Sequence, residues 1–256
     1  MWGCRCRTLA GHAHPHPSER RSGPHATGLR LTAPDGPDGN PLLAYFLDNP
    51  GRLLHKWVHY FDIYHRYLAG FRDRPVVLIE FGVFHGGSLQ MWKQYLGPQA
   101  RIVGVDINPA CTSLEEPQIE VVIGDQEDRG FLASLRELIG PADVVIDDGG
   151  HTMAQQIATF EEMFPALTPG GVYLVEDLHT SYWEEYGGGY RAPGTFIEYA
   201  KDLIDQLHGW HARDGQPEIT DYTRGIGAMH VHDSVIVIDK HLVTAPEVRM
   251  TGKASF

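Results

Sequence analysis

The sequence predicts a doubly wound, mostly parallel α/β sheet. Three observations carry that prediction. Short apolar runs ending in acids alternate with helical patterns from residue 76 to residue 177, the signature of strands joined by crossover helices. A glycine-rich turn follows the first run, where an open α/β sheet binds its ligand at the carboxyl ends of the strands. Near the C-terminus, 225–232 and 234–239 flank Asp233-Ser234 as two strands of an antiparallel hairpin.

The organising stretch is Val76-Val77-Leu78-Ile79-Glu80, followed by Gly82, Gly86, Gly87 and Ser88. Ser88-Leu89-Gln90-Met91-Trp92 then opens a helix. Glycine permits positive φ and close backbone approach. The spacing is not that of the dinucleotide fingerprint, which disfavours a nicotinamide oxidoreductase.

Residues 1–40 are rich in Pro, Gly, His, Ser and Arg and read as a disordered tail. Cys4 and Cys6, with His12, His14 and His16, match no tetrahedral zinc spacing. Residues 41–256 form the expected domain, opening with a helical cap over 41–72 that Pro50 and Gly51 interrupt. In that cap Leu53, Trp57, Tyr60, Phe61 and Tyr64 fall at helical spacing. Lying over the ligand crevice, the cap offers Lys56 and Tyr64 as cofactor contacts.

Arg101–Asp106 is the second strand, and its terminal Asp106 suits ribose hydroxyls. The third strand, 119–125, ends in Gly124-Asp125 and delivers Asp125 toward an adenine amino group, with Gln126 beside it. Helix 131–139 stops at Gly140-Pro141. The fourth strand ends in Asp147-Asp148-Gly149-Gly150-His151. Helix 152–167 ends at Thr168-Pro169-Gly170-Gly171, and the fifth strand runs from Val172 to Glu176-Asp177. Residues 184–195 read as a mobile glycine-rich loop on the ligand side, ahead of helix 196–210.

Asp147-Asp148 and Glu176-Asp177 end neighbouring strands, which lie about 4.8 Å apart. Four converging carboxylates repel one another, and a divalent cation relieves that conflict. Oxygen donors without cysteine suit Mg²⁺, Ca²⁺ or Mn²⁺. His151, three residues past Asp148, is the candidate general base, with Asp148 as the alternative. His179 is a candidate substrate contact.

Glu80-Phe81-Gly82-Val83-Phe84-His85-Gly86-Gly87-Ser88, Asp106, Ile146-Asp147-Asp148-Gly149-Gly150-His151 and Val175-Glu176-Asp177-Leu178-His179-Thr180-Ser181-Tyr182-Trp183 together resemble one family. It is the class I S-adenosylmethionine-dependent, Mg²⁺-dependent O-methyltransferases that methylate deoxysugar hydroxyls of natural products, over roughly residues 50–240. The resemblance implies a seven-stranded sheet with a final antiparallel strand. It implies metal ligation by Asp148, Glu176 and Asp177, and a base at His151. Cofactor contacts then fall on Glu80, Gly82, Ser88, Asp106 and Asp125, with His85, Gly86, Gln126 and Asp147 as further candidates along the same edge. Tyr182 and Trp183 join His179 as substrate candidates. A catechol or phenol acceptor suits the same metal chemistry, and a non-catalytic cofactor-binding module is the remaining alternative.

Composition bounds the partners. A net charge of -12 argues against a nucleic-acid or anionic-membrane footprint. No apolar run reaches membrane-spanning length. Three cysteines make no disulfide framework. The expectation is a cytoplasmic enzyme acting on a small-molecule glycoside, and the family suggests a homo-oligomer.

Overall fold

The structure is a computed structural model and describes residues 39–256. The expected tail, Cys4 and Cys6 therefore lie outside the described residues, apart from its last two positions. Asn40, the last of these, is buried, and its side chain accepts from the Leu42 and Leu43 amides to cap α1 (Pro41–Leu47).

Seven strands form one sheet: β1 (Val76–Phe81), β2 (Ala100–Asp106), β3 (Ile119–Ile123), β4 (Ala142–Asp147), β5 (Leu167–Val175), β6 (Ile226–His232) and β7 (Val235–Lys240). Their spatial order is β3-β2-β1-β4-β5-β7-β6. The first five run parallel, and β7 pairs antiparallel with both β5 and β6. Strand order reverses between β1 and β4, the switch point where open sheets bind ligands.

Both faces are covered. α1, α2 (Tyr60–Leu68) and α3 (Gly87–Leu96) pack on one face over Leu78, Val144, Ile146 and Leu174. On the other, α4 (Arg129–Ile139), α5 (Met153–Met163) and α6 (Phe196–Leu207) pack over Ile79, Val103, Val145 and Tyr173. Burial on both sides explains why the strands are continuously apolar rather than alternating.

Two expectations need correction. The cap is not helical from 52 to 59, although Leu53 and Trp57 sit at helical spacing; both are exposed. Asn49 turns the chain there, accepting from the Gly51 amide and donating to the Arg52 carbonyl. The chain then crosses the start of α3, where a Cβ on Gly87 would stand 2.3 Å from the Leu53 carbonyl oxygen. β5 also begins earlier than expected, at Leu167, because Leu167 pairs with Ala142 before a register shift absorbs the following turn residues. α5 correspondingly stops at Met163.

Candidate active site

Strand alternation sets the chemistry of the switch point. Side chains two residues apart share a face. Glu80 therefore continues Leu78, Asp148 continues Ile146, and Glu176 continues Leu174, all toward the face under α1–α3. Asp147 continues Val145 on the opposite face. The backbone ladder carries this register past the strand ends, through Asp148 N–H to Phe81 O and Glu176 N–H to Asp147 O.

A cleft of about 440 Å³ opens over these tips. Of the sequence-predicted residues, Lys56, Gly82, Asp106, Asp125, Gln126, Asp148, His151, Glu176 and Asp177 line it. Its apolar wall is Phe81, Phe84, Val105 and Ile107. Gly82 is required here: it takes φ +91°, and a Cβ would stand 2.0 Å from the Asp148 carbonyl oxygen.

Asp148, His151 and Asp177 bring one ligand atom each within 4.8 Å of one another. His151 Nε2 lies 3.4 Å from Asp177 Oδ2. The other oxygen, Oδ1, accepts from the Tyr60 hydroxyl at 2.7 Å. Burial, reinforced by the Asp177 charge, holds the Tyr60 phenol far above its ordinary pKa, so it remains a donor. His151 and Asp177 both take left-handed backbone conformations, φ 58° and 53°. Such conformations cost energy for residues with a Cβ and concentrate at functional sites.

Glu176 stands apart from that trio. It is fully buried, and Oε2 accepts from Lys56 Nζ at 2.8 Å while Oε1 meets no hydrogen-bond partner. Lys56 Nζ also lies 2.5 Å from Asp148 Oδ2 and 3.8 Å from Glu80 Oε1. Burial alone would lower the pKa of this lysine, but Asp148, Glu176 and Glu80 outweigh it and hold the pKa well above normal. Burial pushes Glu176 up, and the nearby Asp148 charge adds to this.

Several predicted residues do not reach the cleft wall. Glu80 is buried beneath it, accepting from Ser88 Oγ at 2.6 Å and Trp92 Nε1 at 3.0 Å. Burial drives Glu80 up to about 7 against the pull of Lys56. Gly86 and Gly87 leave room for residues 52 and 53, and His85 is exposed against the Phe84 ring. Tyr64 is fully buried, edge-on to Trp92. Asp147 accepts from Gln126 on the far face, and burial raises it to about 6. Asp106 lines the cleft while Oδ2 accepts from the Val83 and Phe84 amides and Oδ1 from the Asn108 amide, so one lone pair remains on Oδ1 for a ligand.

His179 and Trp183 form an aromatic rim beside Asp177 with Trp57. The His179 ring stands 6.0 Å from Trp57 and 4.7 Å from Trp183, and Trp183 stands 5.9 Å from Tyr186. Tyr182 is half exposed. No residue of 184–195 lines the cleft; Gly188 and Gly189 donate back to the Trp183 and Ser181 carbonyls. Trp57 shares the rim without a signal in the sequence that marks it, and Tyr60 rather than the expected Tyr64 reaches Asp177. Tyr60 and Tyr64 are one helical turn apart, so spacing alone does not choose between them.

Residues 79–178 match the family described as a methyltransferase domain. A Streptomyces olivaceus 8-demethyl-8-alpha-L-rhamnosyl tetracenomycin-C 2'-O-methyltransferase is 40% identical over 198 residues, covering 72% of this chain and 51% of the relative. The chain carries a methyltransferase domain and is similar to a group of O-methyltransferases. Within it, demethylmacrocin O-methyltransferase of Streptomyces fradiae is 33% identical over 216 residues, covering 80% of this chain and 53% of the relative. Among solved structures, MycE methyltransferase from the mycinamycin pathway, in complex with Mg and SAH, superposes with a TM-score of 0.70 at 32% identity. That alignment covers 79% of this chain and 54% of MycE. The chain thus spans about half the length of the curated relatives it matches. No described helix is long and apolar enough to cross a membrane.

Proposed function

We propose that this protein transfers a methyl group from S-adenosylmethionine to a sugar hydroxyl of a natural-product glycoside, with Mg²⁺ or a similar divalent cation. The observation that carries this is the gathering of Asp148, His151 and Asp177 on one lip of the switch-point cleft. The relatives are named for the same reaction, and MycE was solved with Mg, SAH and mycinamycin VI.

The residues present fit both groups. The cleft volume lies in the range of small-molecule sites, and its apolar wall beside Asp106, Asp125 and Gln126 suits a nucleoside. The Asp148 and Asp177 carboxylates suit a hard cation, and the unpartnered Glu176 Oε1 offers a further oxygen. Asp148, Asp177 and Glu176 would hold the metal, which supplies positive charge that eases deprotonation of a hydroxyl. S-adenosylmethionine supplies the electrophilic methyl.

The chain's own residues do the rest. Asp106 and Asp125 accept from the nucleoside, and the Phe84 and Ile107 side chains cover it. Trp57, His179 and Trp183 hold the acceptor against the lip. His151 accepts the hydroxyl proton at Nε2, and the imidazolium is then stabilised by Asp177 Oδ2. The new O–CH₃ bond forms as the S–CH₃ bond breaks, leaving S-adenosylhomocysteine. Tyr60 fixes Asp177 throughout. We also infer a cytoplasmic homo-oligomer, from composition and from the family.

Calorimetry tests this function. S-adenosylhomocysteine binding, with a glycoside response only when Mg²⁺ is present, is the expected result. Cofactor binding with no metal effect at any step moves Asp148, Glu176 and Asp177 to structural roles.

A further inference from the structure

Among the described residues, Lys56 is the one cation placed inside the acidic tips. Its side chain is 3% exposed, and Nζ lies within hydrogen-bond distance of Asp148 Oδ2 and Glu176 Oε2. Glu80 on β1 stands 3.8 Å away. The ammonium thus ties the ends of β1, β4 and β5 together. It does so from a non-helical strap, residues 52–58, rather than from a helix. Glu176 stands outside the Asp148–His151–Asp177 trio, with Oε2 engaged by the ammonium and Oε1 without a hydrogen-bond partner.

Two cations cannot share the same two carboxylates at contact distance without strong repulsion in a buried site. A compact ammonium on a flexible stem is a point charge that can withdraw along its own chain. We propose that Lys56 is a tethered competitor for the divalent metal: it holds Asp148 and Glu176 in the metal-free protein and yields them on metal binding. This rests on the metal assignment made above. Once Lys56 lets go, Glu176 has both oxygens for the metal, so metal binding also shifts the strap. Trp57 follows Lys56 directly, is 56% exposed and meets the His179 ring, so its emission reports that shift. Lys56 is then a positioning residue that couples metal occupancy to the acceptor rim.

The test is Mn²⁺ binding to the full chain, followed by paramagnetic resonance of free Mn²⁺ without cofactor. Lys56→Met removes the competing charge and should tighten Mn²⁺ binding about tenfold or more. Lys56→Arg keeps a positive charge and should stay nearer the wild type than the methionine variant does. Equal or weaker binding by Lys56→Met, with wild-type binding intact, overturns this inference and leaves the metal assignment standing. Failure of the wild type to bind Mn²⁺ overturns both. A second measurement needs no Lys56 variant. Mn²⁺ should change tryptophan emission in the wild type, and Trp57→Phe should lose that change. A Mn²⁺ response that is absent, or that survives Trp57→Phe unaltered, overturns the strap movement.

Discussion

Glu80→Gln separates the cost of a buried carboxylate from its packing. Glu80 is fully buried on β1, with Ser88 and Trp92 donating to its two oxygens and Lys56 Nζ at 3.8 Å. Glutamine fits the same space. Its oxygen still accepts from Trp92, and the Ser88 hydroxyl turns to accept from its amide. Burial raises the Glu80 pKa from 4.5 to about 7 in the folded protein, even with Lys56 pulling it down. Folding therefore penalises the ionised form. The penalty is absent well below 4.5, grows as the pH rises to about 7, and is constant above that. At about 1.4 kcal/mol per unit, the full penalty is about 3 kcal/mol. Between pH 5 and pH 8.5 roughly 2.5 kcal/mol of it appears. Urea unfolding of both chains across that range should show the stability difference moving by this amount in favour of the variant as the pH rises. A difference flat with pH would refute the reasoning, because Glu80 would then ionise in the fold at no cost.

Other perturbations follow from single contacts. Tyr60→Phe removes the donor on Asp177 Oδ1, and Mn²⁺ affinity should fall about 10–100-fold, as when a metal ligand loses its supporting hydrogen bond; titration of free Mn²⁺ reads it. Gly82→Ala meets both a positive φ and the Asp148 carbonyl, so thermal unfolding should show a loss of more than about 3 kcal/mol. Trp57→Ala should raise KM for the acceptor more than it lowers kcat, since the ring borders the lip without touching the transferred proton; steady-state kinetics separates the two.

Much of this protein was legible in its sequence. Five apolar runs ending in acids, with helices between them, yield the parallel sheet because each such strand is buried on both faces. The acids of the strand tips also fall at the switch point, as their positions along the strands require. The strap was not legible. Leu53 and Trp57 keep helical spacing, yet a tertiary approach to α3 and the pull of three carboxylates on Lys56 override the local pattern. Counting by twos from Leu78, Ile146 and Leu174 puts Glu80, Asp148 and Glu176 on one face and Asp147 on the other. The glycines misled in part. Gly82 admits the Asp148 carbonyl and Gly87 admits the Leu53 carbonyl, so chain crossings as well as ligand approach account for them.

The central claim is metal-dependent methyl transfer to a sugar hydroxyl, and one measurement meets it head-on. Purified protein is given S-adenosylmethionine labelled in its methyl group, a rhamnosyl-bearing aromatic polyketide and Mg²⁺, and the product is followed by mass spectrometry. The account predicts label on a sugar oxygen, loss of transfer with EDTA, its return with excess Mg²⁺, and no transfer by Asp177→Asn. Transfer that EDTA leaves untouched, or label on the aglycone rather than the sugar, would contradict it.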